Sequence, residues 1–297
     1  MLRKIKKIIQ KINKLEEIHN EILKLSLESQ LIQKNFLFQI KNNINSPNLI
    51  KINHIKDTGF SVFSQFDEDG IILSIFAVIG FTNKYCLDIA FANPQGANTT
   101  NLFLNWGFNG LLVCGNKSEK DFAYSFFKSN HNTWLLPPKI ISSWVTIENI
   151  EETLINNNCP TEIDFFSLDM DGVDYYILQK ILKIIKPRLV VVEANNIFKT
   201  DKSVAIRYKS DFNRHNIHED YFGASIPAFV KLMKENNYKL IATNKYGFNL
   251  FFIKNDLSSE FLPEIDPNDC IKHLPTYYIE ELDTRRKQVE QLDWIEV

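Results

Sequence analysis

Cysteine is scarce in this chain, and its spacing suits neither metal nor redox work. The four positions, Cys86, Cys114, Cys159 and Cys270, form no C-x-x-C pair. Cys86 and Cys114 sit inside apolar, strand-like runs, as buried thiols do. That usage predicts a reduced, cytoplasmic setting. An excess of charge is lacking too. Thirty-four basic residues against 36 acidic ones leave a formal charge of -2, without the basic footprint of a nucleic-acid binder. No apolar run reaches the length of a membrane span. The opening MLRKIKKIIQKINK has a basic end but no continuous apolar core and no small-residue cleavage site, so it does not read as a signal peptide. Glycine is short where a nucleotide site would want it. The turn DIAFANPQGANTTN holds only Gly96, with Ala90 and Ala92 nearby. Such turns are glycine-rich because the backbone must approach the cofactor closely.

What is present is a regular alternation of strand and helix patterns. Strand-like runs are YCLDIAFA, ending near Asp88, then GLLVCGN, ending at Cys114, a weak TWLL at 133–136, DFFSL at 164–168 and RLVVVE at 188–193. Helical patterns lie between them at 99–106, 119–128, 147–155 and 175–185, and again at 224–235. YKLIAT and NLFFIK follow as two strands around a turn at Tyr246-Gly247. Five βα units and a closing hairpin predict an α/β fold: a doubly wound, mostly parallel sheet with one antiparallel strand. The tail from Asp266 carries no sheet signal, only a helical pattern at 278–292.

Chemistry concentrates between Asp164 and Asn196. An apolar run ends in Asp169, Asp171 and Asp174, and the next ends at Glu193. In open α/β sheets ligands bind at the carboxyl ends of the strands. D-x-D-G-x-x-D can collect oxygen ligands for Mg²⁺ or Mn²⁺, with Asp169, Asp171 and Glu193 as the set. It can equally supply a general base. A purely structural alternative starts a helix at Asp171 or Gly172 and leaves Asp174 in its polarised first turn. Two further clusters have readings of both kinds. Asp67-Glu68-Asp69 suits a helix start, yet leaves Gln65 or Asp69 open to a site role. His215 and His218 are proton acceptors or metal ligands by type, and an exposed loop by context.

Taken together, nine segments resemble the FkbM-like class I S-adenosylmethionine-dependent methyltransferases, in particular a bacterial branch associated with surface polysaccharide. They are Ser64-Gln65-x-x-Glu68-Asp69-Gly70, the strand end at Asp88, Asn98-Thr99-x-Asn101-Leu102, Gly110-Leu111-Leu112-Val113 and Glu148-Asn149-Ile150. Ser167-Leu168-Asp169-Met170-Asp171-Gly172-x-Asp174-Tyr175, Pro187-Arg188-x-Val190-Val191-x-Glu193-x-Asn195, Gly223-Ala224-Ser225 and Asn249-x-Phe251-Phe252 complete the series. The resemblance implies a seven-stranded Rossmann-like methyltransferase sheet. It implies S-adenosylmethionine near Gln65, Asp88, Ala90, Asn98, Thr99, Cys114, Asn116 and Asp169. Asp169 and Asp171 become the expected catalytic pair. Asp174, Tyr175, Glu193, Asn195 and His218 are expected on the side of a small polar acceptor bearing sugar or phosphate. The chain departs from the family where Ala90 replaces a glycine and Cys114 an acidic residue. That motivates an alternative, a non-catalytic methyltransferase-like partner subunit. A metal-dependent glycosyltransferase using Asp169 and Asp171 is a third reading.

The expected organisation is an N-terminal amphipathic helix (1–41), a linker (42–62), the methyltransferase-like domain (63–258) and a C-terminal extension packed on it (259–297). In the first segment Ile5, Ile8, Ile12, Leu15, Ile18, Ile22 and Leu25 recur at spacings of three and four. This pattern favours a homo-oligomerisation arm over a helix lying on a membrane or one packed on its own domain. Removing residues 2–40 is therefore expected to lower the oligomeric mass read by light scattering; an unchanged mass counts against the arm.

Overall fold

A computed structural model describes residues 11, 14, 29–35, 37, 55–257 and 260–297. Residues 1–50 and 51–297 form two separate units. In the first, residues 29–35 are helical; the rest of the expected arm, apart from single helical positions, lies outside the described residues, as does most of the linker.

The second unit is built on a seven-stranded sheet. Its strands are β1 (Tyr85–Ile89), β2 (Asn109–Cys114), β3 (Lys139–Ser142), β4 (Glu162–Leu168), β5 (Lys186–Glu193), β7 (Tyr238–Thr243) and β8 (Asn249–Lys254). The order is β3-β2-β1-β4-β5-β8-β7. β1 to β5 are parallel neighbours, and β8 alone runs against both β5 and β7. The helices are α1 (Glu68–Ile79), α2 (Thr100–Trp106), α3 (Lys117–Ser129), α4 (Ile150–Asn156), α5 (Asp174–Ile181), α6 (Ile226–Glu235) and α7 (Thr276–Val289). This is the α/β, doubly wound Rossmann-like sheet that the sequence predicts. The central strands read as unbroken apolar runs because both faces are covered; Leu87, Ile89, Leu111, Val113, Phe165, Phe166, Val190 and Val192 are all sealed from solvent.

Two expectations are corrected. The third strand is Lys139–Ser142, not TWLL: Trp134, Leu135 and Leu136 are exposed and lie in turns before Pro137-Pro138. β3 is short, half-buried and at the sheet edge, so its apolar signal is weak. The tail does contain sheet. β9 (Trp294–Glu296) pairs antiparallel with β6 (Val204–Ile206), and Val297 closes the pair through bonds to Ser203. Trp294 packs edge-on against Phe198 and Tyr221.

The acidic cluster before α1 is structural. One Asp69 oxygen accepts the backbone N–H groups of Val62, Phe63 and Ser64 at 2.7–2.9 Å. Glu68 accepts from Phe66 N–H and from the side chains of Asn244 and Asn249. Both carboxylates are buried. The segment they fold is fastened to the loop after β1, where Gly96 exchanges backbone bonds with Phe63 and Gln65.

At the amino end of the sheet, Asp164 is fully buried. It accepts from Thr82 N–H and hydroxyl, Lys84 N–H and Arg188 Nη1. Arg188 also donates to the last carbonyls of the α1 region, Ile79 and Gly80. Burial alone would raise this carboxyl, but the Thr82 and Arg188 donors outweigh it and hold it below the usual range. Asp164→Ala strands a buried guanidinium and several donors, so it is expected to cost about 3–5 kcal/mol in chemical denaturation; a loss under about 1 kcal/mol would contradict this account.

Candidate active site

The sheet order reverses between β1 and β4, since the chain winds outward from β1 to β3 and then starts again on the other side. A crevice opens at such a switch point, at the carboxyl ends of the strands. Three strands end there in carboxylates: Asp88 in β1, Asp169 just past β4 and Glu193 in β5. Asp88 is paired in register with Ser167 of β4, and Asn98 Nδ2 donates to Ser167 Oγ at 3.2 Å. Thr99 Oγ1 donates to Asp88 Oδ2 at 2.6 Å. Burial pushes the Asp88 carboxyl up to about 7, against the Thr99 hydroxyl, with Asp169 adding to the rise.

Carboxylate oxygens of Asp169, Asp171 and Glu193 lie within 4.8 Å of one another. Like charges this close cannot all ionise. Asp169 is reached by solvent yet ringed by protein atoms and by two more carboxylates. Loss of hydration, then Asp171 and Asp174, push it up to about 7. Glu193 is driven well above its ordinary value by burial and by the charges of Asp169 and Asp171. Asp171 is different. It takes a left-handed backbone at φ +55°, which Asp tolerates, and its Oδ1 accepts from Arg214 Nη1. Its carboxyl is raised by burial and lowered by Arg214. Of the expected catalytic pair, both adjoin Glu193, and Asp171 is in addition tied to a cation. The three oxygens are hard donors of the kind Mg²⁺ or Mn²⁺ takes, but the guanidinium of Arg214 already supplies positive charge beside them.

A cleft of about 260 Å³ adjoins this cluster. Glu193 and Arg214 belong to both. Its walls add Glu219 and Asp220 from the loop before α6, the rings of Phe222, Phe248 and Tyr278, and Arg285. Arg285, from α7, donates through Nε and Nη2 to Asp220 Oδ1. Arg214 lies 5.1 Å above the Phe222 ring. The C-terminal extension thus builds one wall, which the sequence did not signal.

Several expected acceptor-side residues are placed otherwise. Asp174 is buried, and its oxygens accept Met170 N–H at 2.7 Å and Gly172 N–H at 2.9 Å. It holds the turn, the structural alternative for this position; burial, opposed by those bonds, pushes it up to about 6. Tyr175 is buried against Tyr176 and Phe229. Asn195 lines the cleft, but its amide donates to the carbonyls of Asp220 and Phe222 and its oxygen accepts Ile197 N–H. His218 Nδ1 accepts Asp220 N–H, and Nε2 faces Gln288 Oε1. Both of its nitrogens are occupied. Of these five residues, Glu193 and Asn195 line the cleft.

On the crevice side, the turn after β1 keeps a cofactor-compatible backbone despite its single glycine. Ala90 holds φ +66°, a conformation costing a non-glycine about 1 kcal/mol. Gly96, at φ +121°, has nothing within 4 Å of where a Cβ would lie, so the loop leaves an open cradle. Gln65 is exposed beside Gly96, and Asn98 and Thr99 close the loop as described. These residues fit a nucleoside-bearing cofactor. At the far end Cys114 is fully buried, and burial pushes its thiol up to about 12. It cannot hold a hydroxyl as a carboxylate does. Asn116 is spent as the cap of α3, accepting Glu119 N–H.

No family model and no curated protein matches the chain. Solved structures do. The O-methyltransferase from Bacillus cereus in complex with SAH is similar at a TM-score of 0.42 and 11% identity, over 74% of this chain and 89% of that one. Precorrin-6y C5,15-methyltransferase from Geobacter metallireducens gives 0.36 and 11%, over 66% and 92%. A SAM dependent methyltransferase from Aquifex aeolicus gives 0.35 and 8%, over 59% and 83%. Likenesses at this level carry no information about chemistry.

The raised Asp88 carboxyl has a sign-definite consequence. A carboxyl raised in the folded state stabilises it fully below the unfolded value and loses that stabilisation as pH rises through about 7. Asp88→Asn removes the titration. The melting temperature of the variant relative to the parent is expected to increase from pH 5 to pH 8; a constant difference would mean that Asp88 titrates normally.

Proposed function

We propose that this chain is an S-adenosylmethionine-dependent O-methyltransferase whose acceptor is a small sugar, a precursor of surface polysaccharide. The observation carrying the proposal is the cluster of close carboxylates, Asp169, Asp171 and Glu193, at the switch point, with an open turn after β1 on one side and a cleft on the other. The sequence resemblance supports the reaction class and the link to surface polysaccharide. Gln65, Ala90, Gly96, Asn98 and Asp169 would hold the cofactor. When bound, S-adenosylmethionine supplies an electrophilic methyl group.

The chain's own part is to orient the acceptor hydroxyl and take its proton. A base is most effective when its pKa lies near the working pH. Asp169, pushed up to about 7, meets that condition, and Arg214 fixes Asp171 beside it. The cleft and cluster together present Asp169, Asp171, Glu193, Glu219 and Asp220 against Arg214 and Arg285. This excess of negative charge disfavours a phosphate-bearing acceptor and suits an uncharged one with many hydroxyls. Flat rings at Phe222, Phe248 and Tyr278 suit the apolar face of a sugar ring.

Calorimetric titration with S-adenosylhomocysteine is the direct test. No detectable heat at millimolar ligand would sink the proposal and leave the non-catalytic partner reading. With S-adenosylhomocysteine release followed across a panel of uncharged sugars, Asp169→Asn is expected to lower kcat about 10²–10⁴-fold. In the parent, kcat should fall as pH drops through about 7, because the raised carboxyl regains its proton there. A flat profile from pH 5.5 to 8 would remove Asp169 as the base.

A further inference from the structure

We infer that Glu119, the third residue of α3, holds the vicinal diol of a nucleoside ribose in place of the strand-end residue Cys114; this rests on the cofactor reading proposed above. In Rossmann-like sheets an acidic residue near the end of the second strand accepts the ribose hydroxyls, because charge-assisted bonds to a diol hold it strongly. β2 ends in a fully buried, neutral thiol. The next polar side chain, Asn116, has its oxygen engaged by Glu119 N–H at 3.0 Å.

Glu119 returns to the strand end from the first turn of a 13-residue helix. Its Oε2 accepts the N–H of Gly115, the residue directly beyond β2, at 3.0 Å. The residue is thus held twice, at its backbone by Asn116 and at its carboxylate by Gly115. It is half-buried, and its second oxygen has no hydrogen-bond or ion-pair partner among the described residues. Its charge and that of Asp88 both bear on the Cys114 thiol. Glu119 therefore sits at the carboxyl edge of the sheet, just beyond β2, the strand paired with β1. Capping and helix-dipole stabilisation account for the oxygen bound to Gly115 and leave the other free to accept. The neighbouring acid, Asp121, is exposed and paired with Lys117, so it cannot serve the same end.

The inference is tested by calorimetry on the full chain with S-adenosylhomocysteine, adenosine and 2′-deoxyadenosine. Glu119→Gln keeps the side-chain length and an acceptor for Gly115 N–H, and its fold is checked by thermal melting. It is expected to weaken S-adenosylhomocysteine about 10-fold or more and to abolish a preference for adenosine over 2′-deoxyadenosine. Adding Cys114→Asp to Glu119→Gln should restore affinity by returning a carboxylate to the strand end. A folded Glu119→Gln protein that binds S-adenosylhomocysteine as tightly as the parent overturns the inference and leaves the methyltransferase reading intact. A parent that prefers adenosine through Glu119 but ignores S-adenosylhomocysteine supports the inference and sinks that reading. A parent that binds none of the three at millimolar concentration overturns both.

Discussion

Parallel strands all finish at one edge of their sheet, so acidic residues that close them are pressed together. Here β1, β4 and β5 bring Asp88, Asp169 and Glu193 to the switch point, and the site depends on how that charge is relieved. Three devices do it. Asp169 and Glu193 are pushed toward their protonated forms, Asp171 takes the guanidinium of Arg214, and Asp88 takes the hydroxyl of Thr99. The opposite edge shows the other solution. There Asp164 is ionised, because Arg188 and a set of N–H donors surround it. The same residue type is thus a fixed charge at one end of the sheet and a titrating group at the other.

The acidic motif Asp169 to Asp174 divides its labour along these lines. Its first carboxylate lies against Glu193, its second is held by a cation, and its third ties the backbone of the turn. A spacing of two and three residues cannot distinguish these fates. Each is set by a partner remote in sequence or by backbone curvature, and Arg214 lies 43 residues from Asp171.

The buried strands were legible because burial on both faces writes an uninterrupted apolar run. β3 was not, because an edge strand with half-exposed side chains writes almost none, while the exposed Trp134, Leu135 and Leu136 write a false one. β9 was missed because three residues carry no period. The positions of Asp88, Asp169 and Glu193 followed from strand ends alone. Asp174, Tyr175, Asn195 and His218 did not, since their side chains are consumed by contacts that only the folded chain creates.

The pairing of β6 with β9 has a consequence for the order in which the molecule is assembled. Tyr278 and Arg285, which wall the cleft, lie more than eighty residues beyond Glu193. The last residues, through Trp294 and the bonds between Val297 and Ser203, fasten that wall to the body. The sheet and the carboxylates at its switch point are encoded upstream of α7. They can therefore come together during synthesis before α7 is fastened as a wall of the cleft.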